Sequence, residues 1–171
     1  MESKERMSRV RRVARGERFT PATVDLTDVT AIGAVFDAIA VQFGGVDALV
    51  NNAGTCLMAN VPEIPAPELD RQMAINVSPA FHCYQRAVPL MRGRPGVKKI
   101  VNISSNGAYN FDVFDPPHDR ASKAAMDTLT TDLARRDARE RIAAWVSFLI
   151  PPAGDICSGN VIVLNQGRDV R

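Results

Sequence analysis

Apolar residues recur along this chain with two alternating periods, and their order predicts an α/β protein. Val29, Ile32, Val35, Phe36, Ile39 and Phe43 return to one side at helical spacing. Asp28 stands where an N-cap belongs, and Gly44-Gly45 follows the last apolar residue. The pattern predicts a helix over 29–43. The next run, VDALVN at 46–51, has no polar alternation and predicts a strand buried on both faces, as in a parallel sheet. A second such strand, KKIVNIS, starts at Lys98 and carries Ile100, Val101 and Ile103. Beyond it, Ala124, Ala125, Leu129 and Leu133 mark a helix opening near Arg120.

Other segments fit between these. FTPATVDL, residues 19–26, is expected as a strand. Residues 68–91 are expected as a long helix lined by Leu69, Met73, Val77, Phe81, Tyr84 and Val88 and kinked at Pro79, which lacks a backbone donor. Ile142, Trp145, Val146 and Leu149 suit a short core helix, and residues 160–164 a last strand. Residues 4–15 could form a short helix with Val10 and Val13 as its apolar side.

Length and charge narrow the picture. The 171 residues make one domain large enough for a core. They divide into a basic segment, 1–18, and an α/β domain, 19–171. No apolar run reaches membrane-spanning length, and the net charge of +2 implies neither nucleic acid nor membrane as partner. Cys56, Cys83 and Cys157 are odd in number and widely spaced, which favours free thiols in a reducing compartment over disulfides or a metal site. The first 18 residues lack the apolar core of a signal peptide, so a cytoplasmic location is expected. Glu2, Glu5 and Glu17 interrupt their basic residues, as on a solvated surface.

The candidate chemistry gathers at the ends of the two apolar strands. VDALVN leads into Asn51-Asn52-Ala53-Gly54, where amides can tie loops together and small residues let a ligand approach the backbone. KKIVNIS ends in Ser104-Ser105, with Lys123 in the next helix. Open α/β sheets bind ligands at such carboxyl ends. In this combination the chain resembles the short-chain dehydrogenase/reductase family, whose Asn-Asn-Ala-Gly motif, serine loop and Tyr-x-x-x-Lys helix follow in this order.

The resemblance implies a Rossmann-like, three-layer αβα fold with an incomplete parallel sheet, and makes residues 19–171 a partial dinucleotide-binding domain. It implies an NAD- or NADP-dependent oxidoreductase acting on a small alcohol or carbonyl compound, self-associating as a homo-oligomer. Ser105 would orient the substrate oxygen. Lys123 would lower a proton donor's pKa and hold the cofactor ribose. Asn76, in Ile-Asn-Val, would support a proton relay, although a buried Asn also commonly just bonds across helices. Asp25 and Leu26 would contact adenine beside Asn52, Ala53 and Gly54, although an Asp before a helix is also an ordinary cap or turn residue.

The sequence departs from the family in three places. The tyrosine four residues before Lys123 is Asp119, and counting from Ser105 instead gives His118. A carboxylate beside a lysine is ionised and donates no proton at neutral pH. His118 has the right chemistry, and Tyr109 lies on the same loop. No G-x-x-x-G-x-G turn occurs for a cofactor pyrophosphate. Near Arg139 a further strand and Pro-Gly turn are expected to be missing, and Pro151-Pro152-Ala153-Gly154 is not expected to replace them. Each gap would leave strand edges uncovered unless strands re-pair or another chain covers them. A four-stranded, re-paired parallel sheet with helices on both faces is therefore expected. The alternative is a catalytically inactive or truncated homologue acting as a binding or dimerisation module. A Ser/His/Asp hydrolase lacks its G-x-S-x-G elbow here.

Overall fold

The computed structural model describes residues 20–96, 98–108, 116–137, 142–149 and 161–163. Helix α1, Val29–Phe43, runs between the two signals read from the sequence. The Asp28 carboxylate accepts from the backbone N–H groups of Thr30 and Ala31, and Gly44 closes the helix in a left-handed conformation at φ 72°. A residue with a Cβ would be strained there. Strand β1, Ala48–Asn51, follows, then helices α2, Glu68–Asn76, and α3, Ser78–Met91. The expected long helix is thus two helices. The break falls at Val77, and Pro79 sits in the first turn of α3, where its missing N–H costs nothing.

Strand β2, Lys98–Ser105, pairs in parallel with β1 on one side and with β3, Ile142–Leu149, on the other. Helix α4, Pro117–Asp137, connects β2 to β3. A short strand β4, Val161–Val163, completes the order β1-β2-β3-β4. Lys98, Ile100, Asn102 and Ser104 alternate inward along β2 and are buried. Ile100 joins the cluster of Ile32, Phe36, Cys83, Ala87, Val88 and Met91 from α1 and α3. Asn102 and Ser104 bond to α4. The described helices therefore meet the sheet on the face where these side chains lie, not on both faces as expected, and β1, expected to be buried on both faces, exposes Ala48 and Val50. The architecture is Rossmann-like α/β with an incomplete parallel sheet.

Several expectations are corrected here. Residues 142–149 are a strand, not a helix. Their apolar positions do fit a helical stripe, but β-branched and aromatic residues dominate them, and the free edge of β2 offers eight paired positions. No strand is therefore missing after Arg139, and β3 joins β2 to β4. Residues 161–163 pair antiparallel to β3, not parallel. The connection spans only residues 150–160, short of the dozen or more that a parallel crossover takes. Residues 20–26 form no strand. Pro21 has no N–H to give a ladder, and no strand of the described set lies alongside. Val24 and Leu26 nevertheless pack against the α1–α3 cluster. The expected basic segment 1–18, its helix over 4–15, Tyr109 and Pro151–Gly154 lie outside the described residues.

Candidate active site

The Asn51–Gly54 turn leaves β1 at its carboxyl end, and β2 ends in Ser104-Ser105 beside it. Parallel pairing with Asn51 opposite Asn102 sets this register. The Asn51 amide nitrogen donates to Asn102 Oδ1 at 2.7 Å, and Asn102 Nδ2 donates to Thr130 Oγ1 at 2.8 Å. Thr130 in turn donates to the Met126 carbonyl at 2.7 Å. This chain fastens β1 to β2 and β2 to α4, with Asn102 and Thr130 both buried. Buried amides satisfied in this way stabilise one register over others.

Asn76, at the end of α2, is 2 % exposed. Its Oδ1 accepts from Thr55 N at 2.8 Å. Its Nδ2 lies 2.9 Å from the Thr55 carbonyl, 2.9 Å from Ser122 Oγ and 3.4 Å from Asp119 Oδ1. Two hydrogens serve these neighbours, so the bonds are shared rather than separate. Asn76 thereby holds the loop after Gly54 against the first turns of α4. Gly54 allows this close approach, since a Cβ there would stand 3.3 Å from Asn76 Oδ1 and 3.6 Å from Lys123 Nζ. Lys123 Nζ donates to the Ile103 carbonyl at 3.2 Å. Gly54, Asn76, Asp119 and Lys123 are thus neighbours, drawn from three segments distant in sequence.

The two serines differ. Ser104 is 2 % exposed, and its hydroxyl donates to the Lys123 carbonyl at 3.4 Å. Ser105 is half-buried at the strand's end, and its Oγ accepts from Gly107 N at 3.2 Å. Ser105 is the serine with access to a ligand. His118 and Ser122 share one line along α4, and Asp119 and Lys123 share the next. His118 is 5 % exposed, and neither ring nitrogen has a hydrogen-bond partner. Asn52, Ala53 and Gly54 are exposed at the mouth of the crevice.

Asp25 and Leu26 fare differently. The Asp25 carboxylate accepts from Thr27 Oγ1 at 2.7 Å and from Thr27 N at 2.9 Å, a local turn. The threonine hydroxyl, and then its backbone N–H, hold that carboxyl below its ordinary pKa. Leu26 is half-buried and lines an apolar cavity beside β1. Sequence reasoning missed Thr55, Ser122, Asn102 and Thr130. Ser122 could have been found, because it falls one turn after His118 and immediately before Lys123. Thr55 carried no signal, since it works through its backbone.

No group of three His, Cys, Asp or Glu among the described residues could hold a metal ion. No described helix is long and apolar enough to cross a membrane.

The chain is similar to known proteins in sequence and in fold. The family model for short chain dehydrogenase matches residues 2–152. A 2-dehydro-3-deoxy-D-gluconate 5-dehydrogenase from Dickeya dadantii is 31% identical over 171 residues, covering 99% of this chain and 64% of the relative. A D-β-hydroxybutyrate dehydrogenase from Rhizobium meliloti is 37% identical over 81 residues, 47% of this chain and 31% of the relative. A short-chain dehydrogenase structure from Streptomyces avermitilis superposes with TM-score 0.70 and 31% identity, over 78% of this chain and 49% of that one. A short-chain dehydrogenase from Burkholderia cenocepacia, solved in complex with NADP, superposes with TM-score 0.67 and 27% identity, over 72% and 49%. The chain spans less than two thirds of the length of each of these relatives. Its strand-end turn, its serine strand and its lysine helix lie where the family match runs, and the chain belongs to the short-chain dehydrogenase/reductase family.

Proposed function

We propose that the chain carries its family's NAD(P)-dependent alcohol/carbonyl oxidoreductase site, with Asp119 in place of the proton-donating tyrosine. The observation that supports this most is the gathering of Gly54, Asn76 and Lys123 at the carboxyl ends of β1 and β2. In this reading Asn52, Ala53, Gly54 and Lys123 hold the nicotinamide riboside side of the cofactor. Asp25 and Leu26 approach its adenine side. When bound, NAD(P) supplies or accepts the hydride. Ser105 orients the substrate oxygen, and Asn76 keeps the Thr55 loop and α4 in register. The relatives' names are those of dehydrogenases, which favours a small alcohol or ketone as substrate.

Asp119 lies 3.4 Å from the Asn76 amide, and its carboxylate accepts protons better than it gives them. General acid–base help is worth about 10²–10⁴-fold, so turnover is slow by that order. The test is NAD(P)H absorbance against a panel of ketones and alcohols. Slow turnover that disappears in both Ser105→Ala and Lys123→Ala is the expected result. Turnover that persists in both variants would sink the assignment.

A second reading is a catalytically silent binding or dimerisation module. Asp119 in the tyrosine's place favours it. Dinucleotide binding without any turnover would select this second reading.

A further inference from the structure

The first turns of α4 grip the end of β2 at successive points. Lys123 Nζ donates to the Ile103 carbonyl at 3.2 Å, and Ser104 Oγ donates to the Lys123 carbonyl at 3.4 Å. Just past the strand, Arg120 Nε donates to the Gly107 carbonyl at 2.9 Å. The Gly107 N–H in turn donates to Ser105 Oγ at 3.2 Å. Gly107 is buried in the short turn Asn106–Ala108, and it has no side chain of its own to anchor that turn. Arg120 holds it by the carbonyl, and it holds Ser105 by the amide. The bond from Arg120 is charge-assisted, a class roughly twice as strong as neutral bonds.

We propose that Arg120 is the positioning residue for Ser105, acting through Gly107, so that the serine offers its hydrogen to the substrate oxygen. The inference rests on the oxidoreductase reading above. A hydroxyl has one hydrogen and two lone pairs. The Gly107 N–H takes one lone pair of Ser105, which leaves the serine's own hydrogen for donation. A carbonyl oxygen that gains negative charge during reduction needs such a donor. Asp119 cannot be that donor when ionised, because a carboxylate only accepts. Without Arg120 the turn loses its anchor on α4, and the Ser105 hydroxyl is released to its other staggered rotamers.

The test has one readout that needs no activity. Arg120→Met keeps the aliphatic stem and removes the donors. Hydrogen exchange at the Gly107 amide should quicken about ten-fold or more in Arg120→Met, as it should in Ser105→Ala, while circular dichroism stays native. In turnover, Arg120→Met should lower kcat by about 10–100-fold, as a misplacement of about 1 Å does, and leave the dinucleotide Kd unchanged. In a Ser105→Ala background the same substitution should change kcat less than about two-fold, since its target is gone. Arg120→Lys keeps a charged donor and should retain part of both effects. Unchanged Gly107 exchange in Arg120→Met would overturn the proposal. So would kcat losses that add fully in the double variant, or an Arg120→Lys as impaired as Arg120→Met, which would mean a packing role. Wild type with no turnover but with the exchange coupling would fell the oxidoreductase reading and leave the Arg120–Gly107–Ser105 link standing.

Discussion

The two sides of β2 solve the problem of burial differently. Towards α4 and α2, buried polar side chains meet each other: Asn102 with Thr130, Asn76 with Thr55 and Ser122, Ser104 and Lys123 with backbone carbonyls. Towards β1 and α1 the burial is apolar and stops short. There, among the described strands, the outer edge of β1 has no partner, and an apolar cavity lies beside it. Of the residues proposed for chemistry, Ser105, Asp119 and Lys123 stand on the first side, Leu26, Asn52 and Ala53 line the cavity of the second, and Asn76 borders both. Closed polar networks hold atoms to fractions of an ångström, which orienting a carbonyl demands.

The contrast is most exposed to test at Asn76. Asn76→Ala removes a buried amide that serves both the Thr55 loop and α4, leaving the Thr55 N–H and C=O without it. A loss of about 3 kcal/mol in unfolding free energy is expected by urea titration. Val50→Ala, 59% exposed on the outermost strand, should change stability by less than about 0.5 kcal/mol. Similar losses in the two variants would erase the distinction. On the cavity side, overpacking should be tolerated. Val35→Trp would cost about 1–3 kcal/mol in a filled core. Here the cavity takes the ring, and a midpoint equal to or above wild type is expected. A marked loss would show the cavity to be already filled.

The smallest effect concerns the amino ends of the strands. Asp47 bonds to Arg94 at 3.0 Å and to Lys98 at 2.7 Å. The Arg94 guanidinium, and then the Lys98 ammonium, hold its carboxyl well below the usual carboxylate range. A depressed folded-state pKa contributes stability above the unfolded value, near 4, and loses it as pH falls below that value. Asp47→Asn should therefore lower the melting temperature slightly at pH 7, by an amount that shrinks towards pH 2. A difference that grows as pH falls would reverse the sign. The pair is exposed on the Asp47 side, and salt should weaken it.

Much of this arrangement was legible in the sequence, for identifiable reasons. Helix α1 carried its own caps, so Asp28 and Gly44 fixed both ends locally. The apolar runs of β1 and β2 marked them as strands, but not as doubly flanked ones: Ala48 and Val50 of β1 are exposed, because the described helices cover one face of the sheet. The Asn-Asn-Ala-Gly turn and Lys123 located the site. What failed depended on partners. Residues 142–149 hold a pattern compatible with helix or strand, and the free edge of β2 decided it. The direction of residues 161–163 depended on the length of the connection, not on their own chemistry. Residues 20–26 have strand-forming side chains but no ladder to join. At the site, no pattern in the sequence signalled Thr55, because its contribution is a backbone amide.

The central claim is that the Gly54–Asn76–Lys123 cluster still holds a nicotinamide dinucleotide. Calorimetric titration of NADH and NADPH into the wild-type chain and into Lys123→Ala tests it directly. Saturable binding of at least one dinucleotide, weakened ten-fold or more in Lys123→Ala with the fold intact, is the predicted result. Binding that is absent in wild type, or equal in the two proteins, would contradict it.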